Sequence, residues 1–362
     1  MKYYFFYFLF FIVLSCSETK HTSIIGDISN LPDGKMYLYK DTPDNKIDST
    51  DVKNGKFEFN YNWTNNEPVY LGLDHLDKNK IVRAFNFPTH SKYRGSGWNS
   101  PSFFSDSIIF IKGKITDFKI NDIKLPAKFK FVTSPTIIAG NQTKALYDID
   151  EDLFEKIDNK TVEIINEKLK KYPYSYHLLY KITENKNSFS PQQIDEFLKS
   201  FKGEITKSDT YQKLATYNKK RFNEKSLSLP LLEDSNGVRK DILNKNYKKH
   251  LVIFWASWCG PCRQEIPLLK KVYSESNKEI EFVSVSIDKD KKSWQEALNI
   301  EKMDWKQLIV NEKNKTDFES IQIHFKLNQS IPYTVLVDNN MNILAFSIGL
   351  SDEIELRKMI KK

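Results

Sequence analysis

Hydrophobic and aromatic residues follow a short period between residues 24 and 135. They alternate or cluster in runs such as KMYLYK, KFEFNYNW, PVYLGLDH and SIIFIKGKI. The turn signals PDGK at 32–35 and KNGK at 53–56 separate such runs, and no amphipathic pattern of helical length interrupts them. We therefore predict an all-β domain over residues 24–135, built as a small antiparallel sandwich or barrel.

One stretch of this region has no periodicity. Residues 87–104, FPTHSKYRGSGWNSPSFF, are rich in glycine, serine and aromatic residues. We predict a solvent-exposed loop there, with a partner-binding surface as the alternative. His75 and His90 have no Cys, Asp or Glu at a metal-ligand spacing, so both are interpreted as structural or surface histidines.

The period changes to three and four residues in the next region. Ser190 is a candidate N-cap, Pro191 a first helical residue and Gln193 the partner in a capping box. The apolar positions that recur at helical spacing are Leu153, Phe154, Ile157, Val162, Ile165, Leu169, Leu178, Leu179, Ile182, Ile194, Phe197, Leu198 and Phe201. We predict a helical linker or small bundle over residues 145–225.

Strands and helices alternate over residues 228–362. HLVIFWAS, IEFVSVSI and YTVLVD are typical of buried strands, and RQEIPLLKKVYSES, KSWQEALNIE and TDFESIQIHFK are typical of helices. The turn DNNM before NILAFSI predicts an antiparallel hairpin at one edge of the sheet. A closing helix should begin after Asp352. This pattern predicts an α/β domain.

Composition and charge exclude some classes of protein. The 362 residues are 40% hydrophobic and 28% charged, which is typical of folded domains and argues against wholesale disorder. The net charge of +8 comes from short scattered runs such as KLKK, and no helix-turn-helix, zinc-finger or RNA-binding signature organises it. We expect solvated lysine-rich faces and no nucleic-acid partner, while attraction to an anionic membrane stays an unspecific alternative.

The N-terminus indicates export. Lys2 precedes an uncharged apolar run over residues 3–14, followed by Ser15 and Cys16. This run is too short to span a bilayer and is typical of a signal-peptide core, so we predict a signal peptide over residues 1–15. The stretch VLSC resembles a bacterial lipobox, which implies that Cys16 is lipidated and that residues 16–23 are a tether. The alternative is an ordinary secretory signal with an incidental cysteine.

Cys259 and Cys262 are the remaining cysteines, and three interpretations compete for them. A zinc site needs four ligands, but no further cysteine exists and His250 and His324 stand alone. A structural disulfide across two residues closes too small a loop to stabilise the fold much. An exported protein with a single close pair is therefore best interpreted as carrying a dithiol redox centre, with no metal and no cofactor.

The predicted elements favour this chemistry. The strand that ends near Ala256 should deliver Cys259 to the N-terminus of the next helix, where free N–H groups stabilise a thiolate. Pro261 is tolerated there because the first turn needs no N–H from it. Cys262 lies deeper in the turn and can attack a mixed disulfide on Cys259.

VIFWASWCGPC together with IPYTVLVD resembles the thioredoxin fold, and CRQEIP in an exported chain resembles the TlpA/ResA-type thiol-disulfide oxidoreductases. The resemblance covers residues 228–362. It implies that Ile331–Pro332 is a cis peptide that faces the dithiol, that the Ile331 backbone pairs with substrate, and that Trp255 and Trp258 flank the site. The substrate-binding residues are then Trp258, Gly260, Pro261, Ile331 and Pro332.

The β domain has its own resemblance. Its pattern is similar to a bacterial domain of unknown function (4369 type) found ahead of thioredoxin-like domains in envelope lipoproteins. The residues that carry this are Leu31, Gly34, Leu38, Ile47, Asp48, Ser49, Gly55, Phe57 and Phe59. The resemblance implies a fold neighbourhood and no activity.

One position departs from the thioredoxin pattern. Cytoplasmic thioredoxins carry a buried Asp where this chain has Ile253, so the proton acceptor for the resolving thiol must come from elsewhere. Glu265 lies three residues after Cys262 on the same helical face, and the envelope subfamily also has Glu there. We predict Glu265 as the acid/base group. The alternative is a solvated carboxylate in the first turn.

The sequence therefore predicts a lipid-anchored envelope thiol-disulfide oxidoreductase. The Gly-Pro dipeptide between the cysteines is that of reducing thioredoxins and favours a reductase. Its partners would be disulfide-bearing envelope proteins, with apocytochrome c as one candidate, and a membrane electron donor. An oxidase or isomerase, or a scaffold lipoprotein whose β domain captures a partner, remain alternatives. A thiol peroxidase does not fit, because WCGPC does not resemble a peroxidatic loop.

Overall fold

A computed structural model describes residues 20–63, 67–118, 125–134, 136–223, 227–276, 279–310 and 314–362. The chain divides into two compact units. The first takes the described residues up to Leu178 together with Phe201–Asp209, and the second takes Leu179–Ser200 and Thr210–Lys362. The predicted signal peptide, and with it Cys16, lies outside the described residues.

The first unit is rich in β-strands, which form two sheets within the described residues. One sheet has the strand order β12-β9-β1-β4. The other has the order β10-β11-β6-β5-β2-β3, and it also contains β7, which pairs with β6, and β8, which pairs with β5. The strands are β1 (Lys20–Ile28), β2 (Gly34–Lys40), β3 (Lys46–Val52), β4 (Lys56–Trp63), β5 (Tyr70–Asp77), β6 (Val82–Tyr93), β7 (Ser96–Ser100), β8 (Phe103–Phe104), β9 (Ile108–Gly113), β10 (Thr116–Phe118), β11 (Phe129–Thr133) and β12 (Thr136–Ile138).

The unit is β-rich as predicted, but its sheets are mixed, so the prediction of an antiparallel sandwich or barrel was wrong for two strand pairs. β9 runs parallel to β1, and β11 runs parallel to β6. Each of these pairs joins strands that are distant along the chain. The turns PDGK and KNGK connect β1 to β2 and β3 to β4, and in both cases the two strands lie in different sheets. Ile24 and Ile109 are register partners in β1 and β9, and both are fully buried, so core burial sets this register.

The prediction of a loop over residues 87–104 was also wrong, because this segment consists largely of β-strands. β6 continues to Tyr93 and pairs antiparallel with β7, through a turn at Arg94 and Gly95. Both turn residues have positive φ, 49° and 81°, and Gly95 adopts this conformation without steric cost. The register shifts between Pro88 and Lys92, and this irregularity hides the two-residue period in the sequence.

The helices of the middle region are α1 (Asn141–Leu146), α2 (Asn159–Lys171), α3 (Tyr176–Glu184), α4 (Pro191–Ser200) and α5 (Asp209–Phe222), with a 3-10 helix at Gly203–Lys207. The capping box before α4 is confirmed: Ser190 N–H donates to Gln193 at 2.8 Å and Gln193 N–H donates to the Ser190 hydroxyl at 3.1 Å. The stretch around Leu153, by contrast, forms turns. These helices are divided between the two units, with the boundary inside α3.

The second unit contains a sheet of strand order β14-β13-β17-β16-β15-β18-β19, as far as the described residues show. β15 is parallel to β16 and antiparallel to β18, and β18 pairs with β19 in the predicted hairpin. The strands are β13 (Leu232–Asp234), β14 (Arg239–Lys240), β15 (Lys249–Trp255), β16 (Ile280–Ser286), β17 (Lys306–Ile309), β18 (Tyr333–Asp338) and β19 (Ile343–Ile348). The helices are α6 (Gly260–Glu275), α7 (Lys291–Glu301), α8 (Lys315–Phe325) and α9 (Glu353–Ile360).

β15 is buried on both faces, which explains its continuous apolar sequence. Val252 and Phe254 belong to one apolar cluster, and Leu251 and Ile253 belong to another. The cluster that contains Phe254 also contains both cysteines, 259 and 262. This strand therefore leads from the apolar core of the second unit to the dithiol.

Candidate active site

The dithiol lies at the junction of β15 and α6, as the sequence predicts. Cys259 and Cys262 form a disulfide with a Cα–Cα distance of 5.3 Å, and both are buried. Cys259 is the N-cap of α6, and its sulfur accepts the Cys262 N–H at 3.2 Å. A helix N-terminus stabilises negative charge, so this geometry favours a thiolate at Cys259 once the disulfide is reduced.

The residues between and beside the cysteines form the first turn of α6 and the exposed surface next to the dithiol. Gly260 and Pro261 are the first residues of α6, where the missing N–H of Pro261 costs no helical hydrogen bond. Trp258 is 67% exposed, whereas Trp255 is buried in the same cluster as the cysteines. Trp258 thus offers an apolar surface next to the dithiol.

Ile331–Pro332 is a cis peptide bond, which confirms this part of the prediction, whereas its facing the dithiol stays a prediction. Ile331 packs against the apolar cluster that contains both cysteines. The Pro332 carbonyl accepts the Gly349 N–H at 2.8 Å, which joins this segment to the connection between β19 and α9. The pairing of the Ile331 backbone with substrate stays a prediction.

Ile253 lies in the apolar cluster on the α6 side of the sheet, among Leu269, Val272 and Phe282. A carboxylate there would have to be buried among apolar side chains. The proton acceptor of cytoplasmic thioredoxins is therefore replaced by a packing residue in this chain.

Glu265 is buried, with only 2% of its surface exposed, so the interpretation as a solvated carboxylate was wrong. Its Oε1 accepts the Ser351 N–H at 2.8 Å. Burial raises the pKa of Glu265, and the negative charge of Glu355 adds to this, while hydrogen bonds from Ser351 work against it. The acid/base role of Glu265 stays a prediction, but its environment suits a carboxyl that holds and releases a proton.

Asp288 is a site residue that the sequence reasoning missed. This buried carboxylate follows β16, and it accepts the Ser257 N–H at 2.9 Å and the Ser257 hydroxyl at 2.6 Å. It also accepts the Ser286 hydroxyl at 2.7 Å. Ser257 lies two residues before Cys259, so Asp288 holds the chain that enters the dithiol. The available signal was an acidic residue directly after a strand adjacent to β15, in SVSID.

The histidines of this unit form structural hydrogen bonds. His250 is fully buried and hydrogen-bonds Glu281 at 2.7 Å and Asn339 at 2.8 Å, and His324 hydrogen-bonds the Leu227 carbonyl at 3.0 Å. No group of three or more His, Cys, Asp or Glu side chains suited to a metal ion occurs among the described residues. None of the helices in the described ranges is long and apolar enough to cross a membrane.

Comparison with protein families identifies two regions. Residues 246–343 match the family described as thioredoxin-like, and residues 22–147 match a domain of unknown function, DUF4369. The chain therefore carries a C-terminal thioredoxin-like domain preceded by a β-rich domain of unknown function.

Similar proteins match through this C-terminal region. The thioredoxin-like protein YneN of Bacillus subtilis is 36% identical over 62 residues, which are 17% of this chain and 36% of YneN. The thiol-disulfide oxidoreductase ResA of the same organism is 32% identical over 62 residues, 17% of this chain and 35% of ResA. A thioredoxin of Mycolicibacterium smegmatis is 32% identical over 69 residues, 19% of this chain and 59% of that protein. The chain thus spans less than two thirds of each of these relatives.

Solved structures show the same likeness. StoA from Bacillus subtilis is 20% identical, with a TM-score of 0.30, and the match covers 36% of this chain and 94% of StoA. A thiol-disulfide oxidoreductase from Bacteroides fragilis is 24% identical, with a TM-score of 0.30, over 37% of this chain and 98% of that one. Scores this low support no functional inference.

Proposed function

Because the chain carries a thioredoxin-like domain with an intact cysteine pair, we propose that it is a thiol-disulfide oxidoreductase that reduces substrate disulfides. The observation that carries the proposal is the position of Cys259, whose sulfur accepts an N–H of the first turn of α6. A thiolate held there is both the nucleophile and the good leaving group that disulfide exchange needs.

The reaction is a pair of sulfur exchanges. The Cys259 thiolate attacks one sulfur of a substrate disulfide, so a mixed disulfide forms and one substrate thiolate leaves. Cys262 loses its proton and attacks the Cys259 sulfur, which releases the second substrate thiolate and restores the Cys259–Cys262 disulfide. Two electrons pass from the dithiol to the substrate, and Glu265 accepts the proton of Cys262.

The Gly-Pro dipeptide supports the direction of transfer. Reducing thioredoxins have reduction potentials of about −270 mV and strong oxidants of this fold about −120 mV, a difference of roughly 7 kcal/mol for two electrons. A reductase must be reduced again after each turnover. We propose that a membrane protein supplies these electrons, and that the substrates are disulfide-bearing envelope proteins, which can include haem-binding apocytochromes.

We further propose that the N-terminal segment directs export and that Cys16 is lipidated. The support is the sequence alone: an apolar run, a small residue and a cysteine in that order. Metabolic labelling with a radioactive fatty acid should mark the wild-type protein and leave Cys16→Ser unlabelled. Equal labelling of both would contradict the lipid anchor.

The activity is tested by insulin reduction with the full chain and a chemical reductant as electron source. Wild type should reduce insulin, and Cys259→Ser should lose this activity completely because the thiolate that attacks the substrate disulfide is removed. Cys262→Ser should instead trap mixed disulfides on Cys259, and isolation of these adducts from the envelope would identify the substrates. A Cys259→Ser protein as active as wild type would overturn the proposal and favour a binding or scaffold function.

The equilibrium with a glutathione buffer decides the direction. A dithiol that stays oxidised in a buffer as reducing as glutathione in the cytosol supports a reductase. A dithiol that is already reduced in a far more oxidising buffer would instead assign an oxidase or isomerase.

A further inference from the structure

The buried Glu265 carboxyl needs a route by which it can exchange protons with solvent. If it accepts the proton of Cys262, as the proposed function requires, it must be ionised when Cys262 attacks, so a proton that it already holds must first reach solvent. Yet the residue is 98% buried, since its exposed fraction is 2%. A buried acid/base group exchanges protons efficiently only through a chain of hydrogen-bonding groups or through transient opening of the structure.

A chain of polar side chains begins beside Glu265. The Ser351 N–H donates to Oε1 of Glu265 at 2.8 Å, which places the Ser351 hydroxyl beside the same carboxyl. The Ser351 hydroxyl also lies 2.9 Å from the Ser347 oxygen, to which it donates. Ser347 in turn donates to Oε1 of Glu355 at 2.8 Å. Ser351 and Ser347 are both buried, whereas Glu355 on α9 is exposed.

We propose that Ser351 and Ser347 form a proton relay between the buried Glu265 and the solvent-exposed Glu355. The proposal rests on the proposed function, because it gives Glu265 a route for the proton of Cys262. The serines act through Glu265 and touch no substrate, so they are positioning residues for proton exchange. Glu355 is the group at which the proton enters or leaves the protein.

The hydrogen-bond directions fit this transfer. When Glu265 is protonated, its O–H donates to Ser351, Ser351 donates to Ser347, and Ser347 donates to Glu355. Transfer along this line moves one proton from Glu265 to Glu355, leaves each serine neutral, and forms and breaks only O–H bonds. When Glu265 is ionised, the Ser351 hydroxyl turns toward it and the hydrogen bonds reset.

The surrounding charges leave Glu355 as the outlet. Of the other charged groups on α9, Glu353 is paired with Lys271 of α6 and with Arg357, and Arg357 also pairs with Glu275. Glu355 is the charged residue whose field acts on Glu265, and its negative charge favours a proton on Glu265. The two carboxyl groups are therefore coupled in charge as well as through hydroxyls.

The relay is tested with the full-length reduced protein and a chromogenic aryl disulfide. The first thiolate released reports the attack by Cys259, and the second reports resolution by Cys262. We expect Ser351→Ala and Ser347→Ala to slow the second phase, by a factor on the order of 10², toward the rate of Glu265→Gln. The first phase should stay unchanged, and Ser347→Thr, which keeps the hydroxyl, should restore the second.

Two further variants separate the relay from packing effects. Ser320→Ala is the matched control, because Ser320 is a buried serine that donates to the Ser228 carbonyl at 2.9 Å, away from Glu265. It should leave both phases unchanged. Glu355→Gln keeps an acceptor for Ser347 but cannot carry the proton as a carboxyl does, so it should slow the second phase, and added formate should restore it.

The outcomes distinguish the relay from the function on which it rests. If both serine-to-alanine variants resolve at the wild-type rate while Glu265→Gln is slow, the relay is refuted and the oxidoreductase stands. If Glu265→Gln itself resolves at the wild-type rate, Glu265 is not the proton acceptor and the relay falls with it. If Cys259→Ser retains the first phase, the proposed function fails before the relay is reached.

Discussion

The substitution Asp288→Asn tests how the dithiol loop is held. The wild-type carboxylate accepts three hydrogen bonds: two from Ser257 and one from the Ser286 hydroxyl. Asparagine keeps the volume of the side chain but replaces one acceptor oxygen with an N–H donor and removes the charge. At least one of the three donors then loses its acceptor or must reorient.

The size of the effect follows from these contacts. A hydrogen bond to a charged group contributes about 1.5–3 kcal/mol, and a buried donor without a partner costs about 1–3 kcal/mol. Loss of one such bond should lower the free energy of opening the loop by about 1.5–3 kcal/mol. Since about 1.4 kcal/mol corresponds to a factor of ten, amide exchange in the dithiol loop should accelerate by roughly 10- to 150-fold.

Hydrogen exchange followed by mass spectrometry measures this directly in the oxidised full-length protein. We expect faster exchange in the peptide that contains Ser257 and Cys259, and faster still in Asp288→Ala. Asp290→Asn is the control, because Asp290 caps α7 through the N–H groups of Lys292 and Ser293 and does not contact the dithiol loop. Unchanged exchange at Ser257 in Asp288→Asn would refute the assignment of Asp288 as the residue that holds the loop.

Three further predictions concern stability and turnover. Burial raises the pKa of Glu265, so the stability that this residue contributes is present below pH 4.5 and is lost as the pH rises through its folded-state pKa. Urea unfolding should therefore show a smaller loss of unfolding free energy over this pH rise for Glu265→Gln than for wild type. Burial alone would raise the pKa of Glu281, but hydrogen bonds from His250 and Lys306 lower it, so wild type should lose stability as the pH falls below 4.5. Glu281→Gln should remove this pH dependence and lower the unfolding free energy by about 3–5 kcal/mol near neutral pH. Trp258→Ala should change the unfolding free energy by less than about 0.5 kcal/mol because the side chain is exposed, yet should raise KM for insulin; an unchanged KM would exclude Trp258 from substrate binding.

Elements that depend on a local pattern could be predicted from the sequence. The apolar run of β15 and the turn that leads into α6 place Cys259 at a helix N-terminus, and that geometry involves neighbours along the chain. The capping box of Ser190 and Gln193 is local for the same reason. The hairpin of β18 and β19 also follows from its turn. Contacts between residues that are close together in the chain leave a pattern within a few positions, so they can be predicted from the sequence.

The contacts by which distant residues complete the site become visible in the folded structure alone. Asp288 meets Ser257 across 31 positions, and Ser351 meets Glu265 across 86. No period or motif in the sequence records such a pairing, because it depends on strand order and on the packing of α9. The burial of Glu265 is of the same kind: its spacing from Cys262 is visible in the sequence, but the side chains that exclude water from it come from another part of the chain.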